Sequence, residues 1–128
     1  MSYNEYFKVL FLIAEEELRA ANILAEQHNP TIEIICCLCH QSAEKTLKAF
    51  IHFHRGDFDF THNLVDLCDG CKALDNSFSV LIKECHILNP YIREVKYDRQ
   101  FMVNEFDMKR AIQCATKILE FVREKIGT

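Results

Sequence analysis

Apolar residues recur every three or four positions along most of the chain, which is the spacing of α-helices with one buried face. The first such stretch covers residues 3–27, and the second covers residues 30–54. Asn29 is predicted to cap the second helix, because Pro30 suits the first turn that follows a cap. The Arg-Gly-Asp sequence at 55–57 is predicted to end this helix.

Two shorter helical segments follow. Thr61 is predicted to cap the third helix, which is expected to turn or weaken at Asp69-Gly70. Asn76-Ser77 is predicted to cap a fourth segment over residues 78–88. This segment is expected to end at Asn89-Pro90.

The last helix is predicted to begin after Asn104 and to extend to residue 126, following a polar and aromatic connection over 91–103. Asn104 with Asp107 three residues later resembles a capping box. Three long helices and two short ones, each with one apolar face, must bury those faces against one another, and short connections favour antiparallel neighbours. We therefore predict an all-α fold, an up-and-down antiparallel bundle of four to five helices that forms a single domain over residues 1–128.

Composition agrees with an all-α fold and also indicates where the protein is located and which partners it does not bind. Three Gly and two Pro in 128 residues are too few turn formers for a many-stranded sandwich or barrel. The formal net charge of −4 argues against holding duplex DNA by phosphate neutralisation. The N-terminus lacks the basic and apolar segments of a signal peptide, and no apolar stretch approaches the roughly 18 residues of a membrane span. We expect a cytoplasmic protein with no membrane segment.

The seven Cys are expected to be free thiols in a reducing compartment. Cys68 and Cys71 nevertheless have the spacing of half a zinc site. The residues that would complete such a site are Cys85-His86 or, from the second helix, His40 with Cys36, Cys37 and Cys39. Cysteines on an apolar helix face behave as small buried hydrophobes, so we expect inert thiols and no metal.

One side of the second helix carries Gln41, Glu44, Lys45 and Lys48, and Glu44 and Lys48 have the favourable order for an i,i+4 ion pair. Two interpretations stay open: a solvated face with this one ion pair, or a polar groove in which Lys48 meets a phosphate. His62 is the best placed of the six His, because it is expected near a helix N-terminus that favours anions. Most of the other His are expected to be solvated or locally hydrogen-bonded.

The connection over 91–103 also combines positive charge with aromatic rings. Its cations are Arg93, Lys96 and Arg99, and its rings are Tyr91, Tyr97 and Phe101. Charge beside a stacking surface is what a base and its phosphate would require. The alternative interpretation is that buried tyrosines anchor the loop.

Three sequence elements in this order resemble the HEPN family: HQSAEKTLKA at 40–49, THNL at 61–64, and Tyr91 followed by KYD at 96–98, before a final helix that starts near Asn104. The resemblance spans nearly the whole chain. It implies a dimeric helical bundle that is tied to nucleotide or RNA chemistry. Members of this family are often encoded beside a minimal nucleotidyltransferase, with which they form a complex or a toxin–antitoxin pair.

Many members of the family are metal-independent ribonucleases with an Arg and a His, four to six residues apart, near the start of the last long helix. No His follows His86 in this chain, so the last helix lacks that pair. Arg55 and His62 have a similar spacing, but they lie between the second and third helices. The resemblance therefore favours a binding domain over an enzyme.

We expect a HEPN-like domain that binds a nucleotide or partners a nucleotidyltransferase, without a cofactor. Its candidate contacts are Lys48, His62, Arg93, Lys96 and Tyr97. One alternative is a ribonuclease toxin in which Arg55 stabilises the phosphate and His62 acts as general acid or base. A further alternative is a structural dimerisation domain without a ligand. In each case a homodimer is expected.

Overall fold

The structure is a computed structural model that describes residues 5–92 and 103–127. These residues form five α-helices: α1 Tyr6–Ala25, α2 Ile32–Arg55, α3 Leu64–Leu74, α4 Ile82–Leu88 and α5 Glu105–Ile126. Two 3-10 segments, Asn76–Leu81 and Asn89–Tyr91, flank α4. The described ranges contain no strand, and the predicted all-α, up-and-down antiparallel bundle is confirmed.

Helix α2 lies at the centre of the bundle and contacts α1, α3 and α5. Small residues bring α1 close to it, because Ala14 and Ala43 are fully buried and the Ser42 hydroxyl donates to the Ala14 carbonyl at 2.7 Å. Apolar side chains from all five α-helices form one shared cluster. Any polar group on α2 that faces these neighbours must therefore find its partner inside the protein.

The end of α2 is confirmed and its predicted cap is wrong. The helix ends at Gly56, which has a φ of 82° in the left-handed region that closes many helices. Its first residue is Ile32, and the flanking residue is Thr31, whose side chain accepts no capping hydrogen bond. Asn29 instead has a φ of 56° in the turn between α1 and α2. Asn tolerates this conformation better than most residues, so Asn29 suits the turn and does not cap the helix.

The cap of α3 is Asn63, so the prediction of Thr61 is wrong. The Asn63 side chain accepts hydrogen bonds from the backbone N–H groups of Val65 and Asp66, at 2.9 and 3.0 Å. Thr61 lies further from the helix, where its hydroxyl oxygen accepts from the Asn63 N–H at 3.0 Å. Both residue types make good caps, and the one that directly precedes the first helical residue takes the role.

Helix α3 continues through Asp69-Gly70, where a turn or weak point was expected. Packing tolerates a side chain there, because a Cβ on Gly70 would lie 3.4 Å from the Ile51 Cδ1 atom of α2, at the short end of ordinary van der Waals contact. The next cap was also misplaced. Asp75, and not Asn76-Ser77, accepts the N–H and the hydroxyl of Ser77 and begins the 3-10 segment that leads into α4.

The predicted capping box of α5 is confirmed. The Asn104 side chain accepts from the Asp107 N–H at 2.9 Å, and the Asp107 carboxylate accepts from the Asn104 N–H at 3.0 Å.

None of the helices in the described ranges combines the length and the apolar character that crossing a membrane requires.

Two alanine substitutions at glycines are expected to have opposite effects on stability. Gly70→Ala should raise the free energy of unfolding by about 0.5–1 kcal/mol, because glycine weakens a helix interior and the Ile51 contact is tolerable. Gly56→Ala should lower it by about 1 kcal/mol, because an L side chain is strained at a φ of 82°. Urea unfolding followed by circular dichroism measures both. A loss of stability in Gly70→Ala would show that α3 cannot move by the small distance required.

Candidate functional site

The connection between α2 and α3 runs back along α2 after the reversal at Gly56. The centre of the Phe58 ring lies 6.2 Å from the centre of the His52 ring. The Lys48 ammonium nitrogen lies 5.5 Å from the centre of the same Phe58 ring. Further along the connection, His62 reaches Glu44, more than two turns before the end of α2. The connection therefore covers the side of α2 that carries the candidate polar residues.

The Glu44 carboxylate is the meeting point of this site. Its Oε2 atom accepts from the Lys48 Nζ at 2.8 Å and lies 3.0 Å from the His62 Nδ1. Its Oε1 atom lies 3.9 Å from the Nδ1 of His40. The side chains of Glu44 and Lys48 are only 11% and 8% exposed, whereas that of His62 is 62% exposed. A buried carboxylate thus joins a buried ammonium to an imidazole at the surface.

This geometry tests one of the two interpretations of the polar face of α2, the solvated face with one ion pair. The predicted Glu44–Lys48 ion pair is confirmed, but the prediction of a solvated face is wrong. Lys45 on the same helix is half-buried and pairs with Glu17 of α1 at 2.9 Å. The Gln41 amide donates to the Sγ atom of Cys37 at 3.4 Å. The polar side chains of this face are therefore tied to partners within the bundle.

The two lysine-paired carboxylates have opposite pKa shifts. Burial alone would raise the pKa of Glu44, but hydrogen bonds and charge from Lys48 and His62 outweigh it and hold that pKa below 4.5. At Glu17, burial outweighs the hydrogen bond and charge of Lys45, so the pKa is raised above 4.5. The additional partner His62 distinguishes Glu44 from the otherwise similar Glu17.

Aromatic rings enclose the apolar side of the site. Tyr6 of α1 stacks on Phe58 with ring centres 6.2 Å apart and an interplanar angle of 11°. The same Tyr6 ring meets His52 edge-on at 5.6 Å. Since Lys48 lies over Phe58, its ammonium group contacts a ring face as well as a carboxylate.

The start of α3 does not offer the anion site expected beside His62. The Leu64 N–H donates to the Oδ1 atom of Asn89 at 2.8 Å. The next two N–H groups donate to the Asn63 side chain. Because these donors are already satisfied, an anion at this end of the protein would have to be held by side chains such as His62 and Lys48.

Two of the five candidate residues, Lys48 and His62, come together on Glu44. Arg93, Lys96 and Tyr97 lie outside the described residues. Sequence reasoning missed the contact of His62 with Glu44 and the role of Phe58. Neither has a local signal, because both depend on the path of the connection.

The expectation that most of the histidines are solvated is confirmed for His28, His54, His62 and His86, whereas His40 and His52 are buried. A sequence signal was present for His40, because it lies three positions before Ala43 on the apolar stripe of α2.

Arg55 and His62, the pair of the ribonuclease alternative, contact different carboxylates. The Arg55 guanidinium pairs with Asp57 at 2.7 Å and with Asp59 at 3.7 Å. His62 instead contacts Glu44. Two neighbouring carboxylates therefore neutralise the group that this alternative assigns to phosphate stabilisation.

All seven Cys are free and buried, which confirms the prediction that they are buried thiols. The Cys68 thiol donates to the Phe78 carbonyl at 3.6 Å and the Cys71 thiol to the Leu47 carbonyl at 3.5 Å. Burial raises the pKa of Cys36 to about 12 and also raises that of Cys71. Within residues 5–92 and 103–127, no three His, Cys, Asp or Glu side chains are arranged to hold a metal ion.

Glu44→Gln is expected to lower the free energy of unfolding by about 3 kcal/mol near pH 7, because it leaves the buried Lys48 ammonium without its counter-charge. A lowered pKa in the folded state contributes stability that is complete above about pH 4.5 and is lost as the pH falls through the folded-state pKa. The difference between variant and wild type should therefore shrink in acid. Urea unfolding at several pH values measures it.

Glu17→Gln is the matched control. The raised pKa of Glu17 gives stability that is lost as the pH rises through the folded-state pKa, so its pH dependence should have the opposite sign. If both variants showed the same pH dependence, the assigned role of His62 at Glu44 would be wrong.

Comparison with known proteins agrees with this architecture. The solved structure of TT1696 from Thermus thermophilus is similar, with a TM-score of 0.79 at 23% sequence identity, over 95% of this chain and 98% of that chain. ST0689, described as an archaeal HEPN homologue, has a TM-score of 0.74 at 23% identity, over 94% of this chain and 97% of that one. At these identities the two structures establish the fold alone.

The comparison with curated proteins finds no significant match. The model of the HEPN domain family, however, matches residues 7–125, which is nearly the whole length of the helical bundle. The resemblance found in the sequence motifs and the bundle architecture lead to the same assignment. The chain belongs to the HEPN domain family.

Proposed function

We propose that this HEPN domain binds a nucleotide and that Lys48 and His62 contact its phosphate groups. The observation that supports the proposal is the convergence of these two side chains, from separate segments, on the Glu44 carboxylate. A cluster of a lysine and a histidine is chemically suited to phosphate oxygens, which form strong hydrogen bonds with charged donors.

Both side chains retain groups that a phosphate can use. An ammonium group has three N–H donors, and Glu44 accepts one of those of Lys48. The Nδ1 atom of His62 faces Glu44, and the imidazole has a second nitrogen, Nε2, on a ring that is largely exposed. Glu44 thus positions both groups and leaves part of their hydrogen-bonding capacity for a ligand.

The proposal includes a nucleotidyltransferase as the protein partner. This part rests on membership of the HEPN family, in which such partners are common, and on the absence of the usual ribonuclease pair from the last helix. Mixing the purified chain with a nucleotidyltransferase encoded beside it, followed by size-exclusion chromatography, tests this part. Light scattering on the chain alone tests the expected homodimer.

Lys48→Ala is expected to weaken ATP binding by about tenfold or more, because it removes a charged donor from the phosphate site. Isothermal titration calorimetry measures the effect. Lys45→Ala is the matched control, since Lys45 lies on the same helix and also pairs with a single carboxylate. Its ATP affinity should stay close to that of the wild type.

Because Lys48→Ala leaves Glu44 buried without its cation, circular dichroism must first show that the variant is folded. If it is not, His62→Gln provides a second test at a largely exposed position, with His86→Gln on the surface of α4 as its control. The proposal is wrong if folded wild-type protein gives no heat with millimolar ATP. An RNA cleavage activity that is lost in both Arg55→Ala and His62→Ala would favour the ribonuclease alternative.

A further inference from the structure

Phe60, in the connection between α2 and α3, is the most exposed large apolar side chain in the described part of the chain. It is 88% exposed, and its ring lies 5.6 Å from that of Phe58 with a tilt of 56°. Phe58 in turn stacks on Tyr6. The rings of Phe60, Phe58 and Tyr6 form an aromatic row that begins at the surface and ends against α1.

This aromatic row lies beside the proposed phosphate site. The Lys48 ammonium nitrogen is 5.5 Å from the centre of the Phe58 ring, which is the middle ring of the row. His62 follows Phe60 by two residues in the same connection and contacts the same Glu44 carboxylate as Lys48. The exposed ring of Phe60 therefore lies next to the ring that the Lys48 ammonium contacts, and two residues before His62 in the same connection.

We propose that Phe60 stacks on the base of the bound nucleotide while Lys48 and His62 hold its phosphates. This inference rests on the proposed function and adds the part of the site that recognises the base. The Phe58 ring is already occupied by Tyr6 and Lys48, whereas most of the Phe60 surface faces solvent. Stacking a base on that ring removes apolar surface from water, while the Lys48 ammonium and the His62 imidazole provide hydrogen-bond donors for the phosphates.

Stacking on a phenylalanine does not distinguish bases by hydrogen bonds, because the ring has neither donors nor acceptors. Every base has a π face, so this kind of contact tolerates changes of base. ATP, GTP, CTP and UTP are therefore expected to bind with similar affinities.

The test compares ATP with inorganic tripolyphosphate, which has the phosphates but no base. Phe60→Ala should weaken ATP binding by about tenfold and leave tripolyphosphate binding unchanged. Phe60→Trp should restore ATP binding, while Phe60→Leu, which is apolar but not aromatic, should not. Calorimetry on the folded full chain gives each affinity.

Phe106→Ala is the matched control. Phe106 is 68% exposed and lies under a cation, with the Arg110 guanidinium carbon 5.5 Å from its ring centre. It lies in the first turn of α5, a helix that contributes none of the residues of the proposed site. This variant should bind ATP as the wild type does.

The outcomes separate the two proposals. If Phe60→Ala leaves ATP affinity unchanged while Lys48→Ala still weakens it, base stacking is wrong and nucleotide binding stands. An equal loss of ATP and tripolyphosphate affinity in Phe60→Ala would also overturn stacking, since it would show a disturbed connection. If neither ligand binds to the wild type, both proposals fail.

Discussion

The Glu44 carboxylate lies near the middle of α2, the helix that the rest of the bundle surrounds, so its charge must be compensated within the protein. Removing such a group from water costs several kcal/mol unless it is well paired. Lys48 provides the first partner from the same helix, one turn away. His62 provides the second from the connection. The path of that connection and the burial of the Lys48 ammonium both depend on this compensation.

The connection has few other means of staying on α2. Its contacts include the ion pairs of Arg55 with Asp57 and Asp59 and the Glu44–His62 hydrogen bond. Between them, Phe58 packs against Tyr6, His52 and Lys48. Phe60 lies between two anchored positions, Phe58 and His62, and this arrangement keeps an apolar ring at the surface.

The local signals in the sequence predicted the helices well and the caps only in part. The capping box of α5 was predictable because both of its partners lie within four residues. Thr61 was mistaken for the cap of α3 because sequence spacing does not show where the connection leaves α2 and the helix begins. Gly70 suggested a break because of its residue type, but α3 continues through it in a position close to Ile51 of α2.

The candidate site shows the same limit more strongly. The Glu44–Lys48 pair follows from an i,i+4 spacing and was found, whereas its burial depends on the residues that cover it. The contact between Glu44 and His62 joins two segments and has no sequence signal. The interpretation of this face of α2 as solvated was wrong. An amphipathic pattern indicates that the polar side of a helix faces solvent, but here the connection to α3 covers that side.

The shared carboxylate has a consequence for any anion that binds here. The backbone donors at the start of α3 are already used by Asn63 and Asn89, so the attraction must come from Lys48 and His62. Glu44 holds both of these groups and leaves part of their hydrogen-bonding capacity, so a phosphate in the proposed site would share the two side chains with a carboxylate of like charge. By linkage, a weaker contact of Glu44 with His62 would then favour the bound phosphate, and the bound phosphate would weaken that contact by the same free energy. In the proposed site, ligand affinity and the attachment of the segment that carries Phe60 would thus be coupled through one carboxylate.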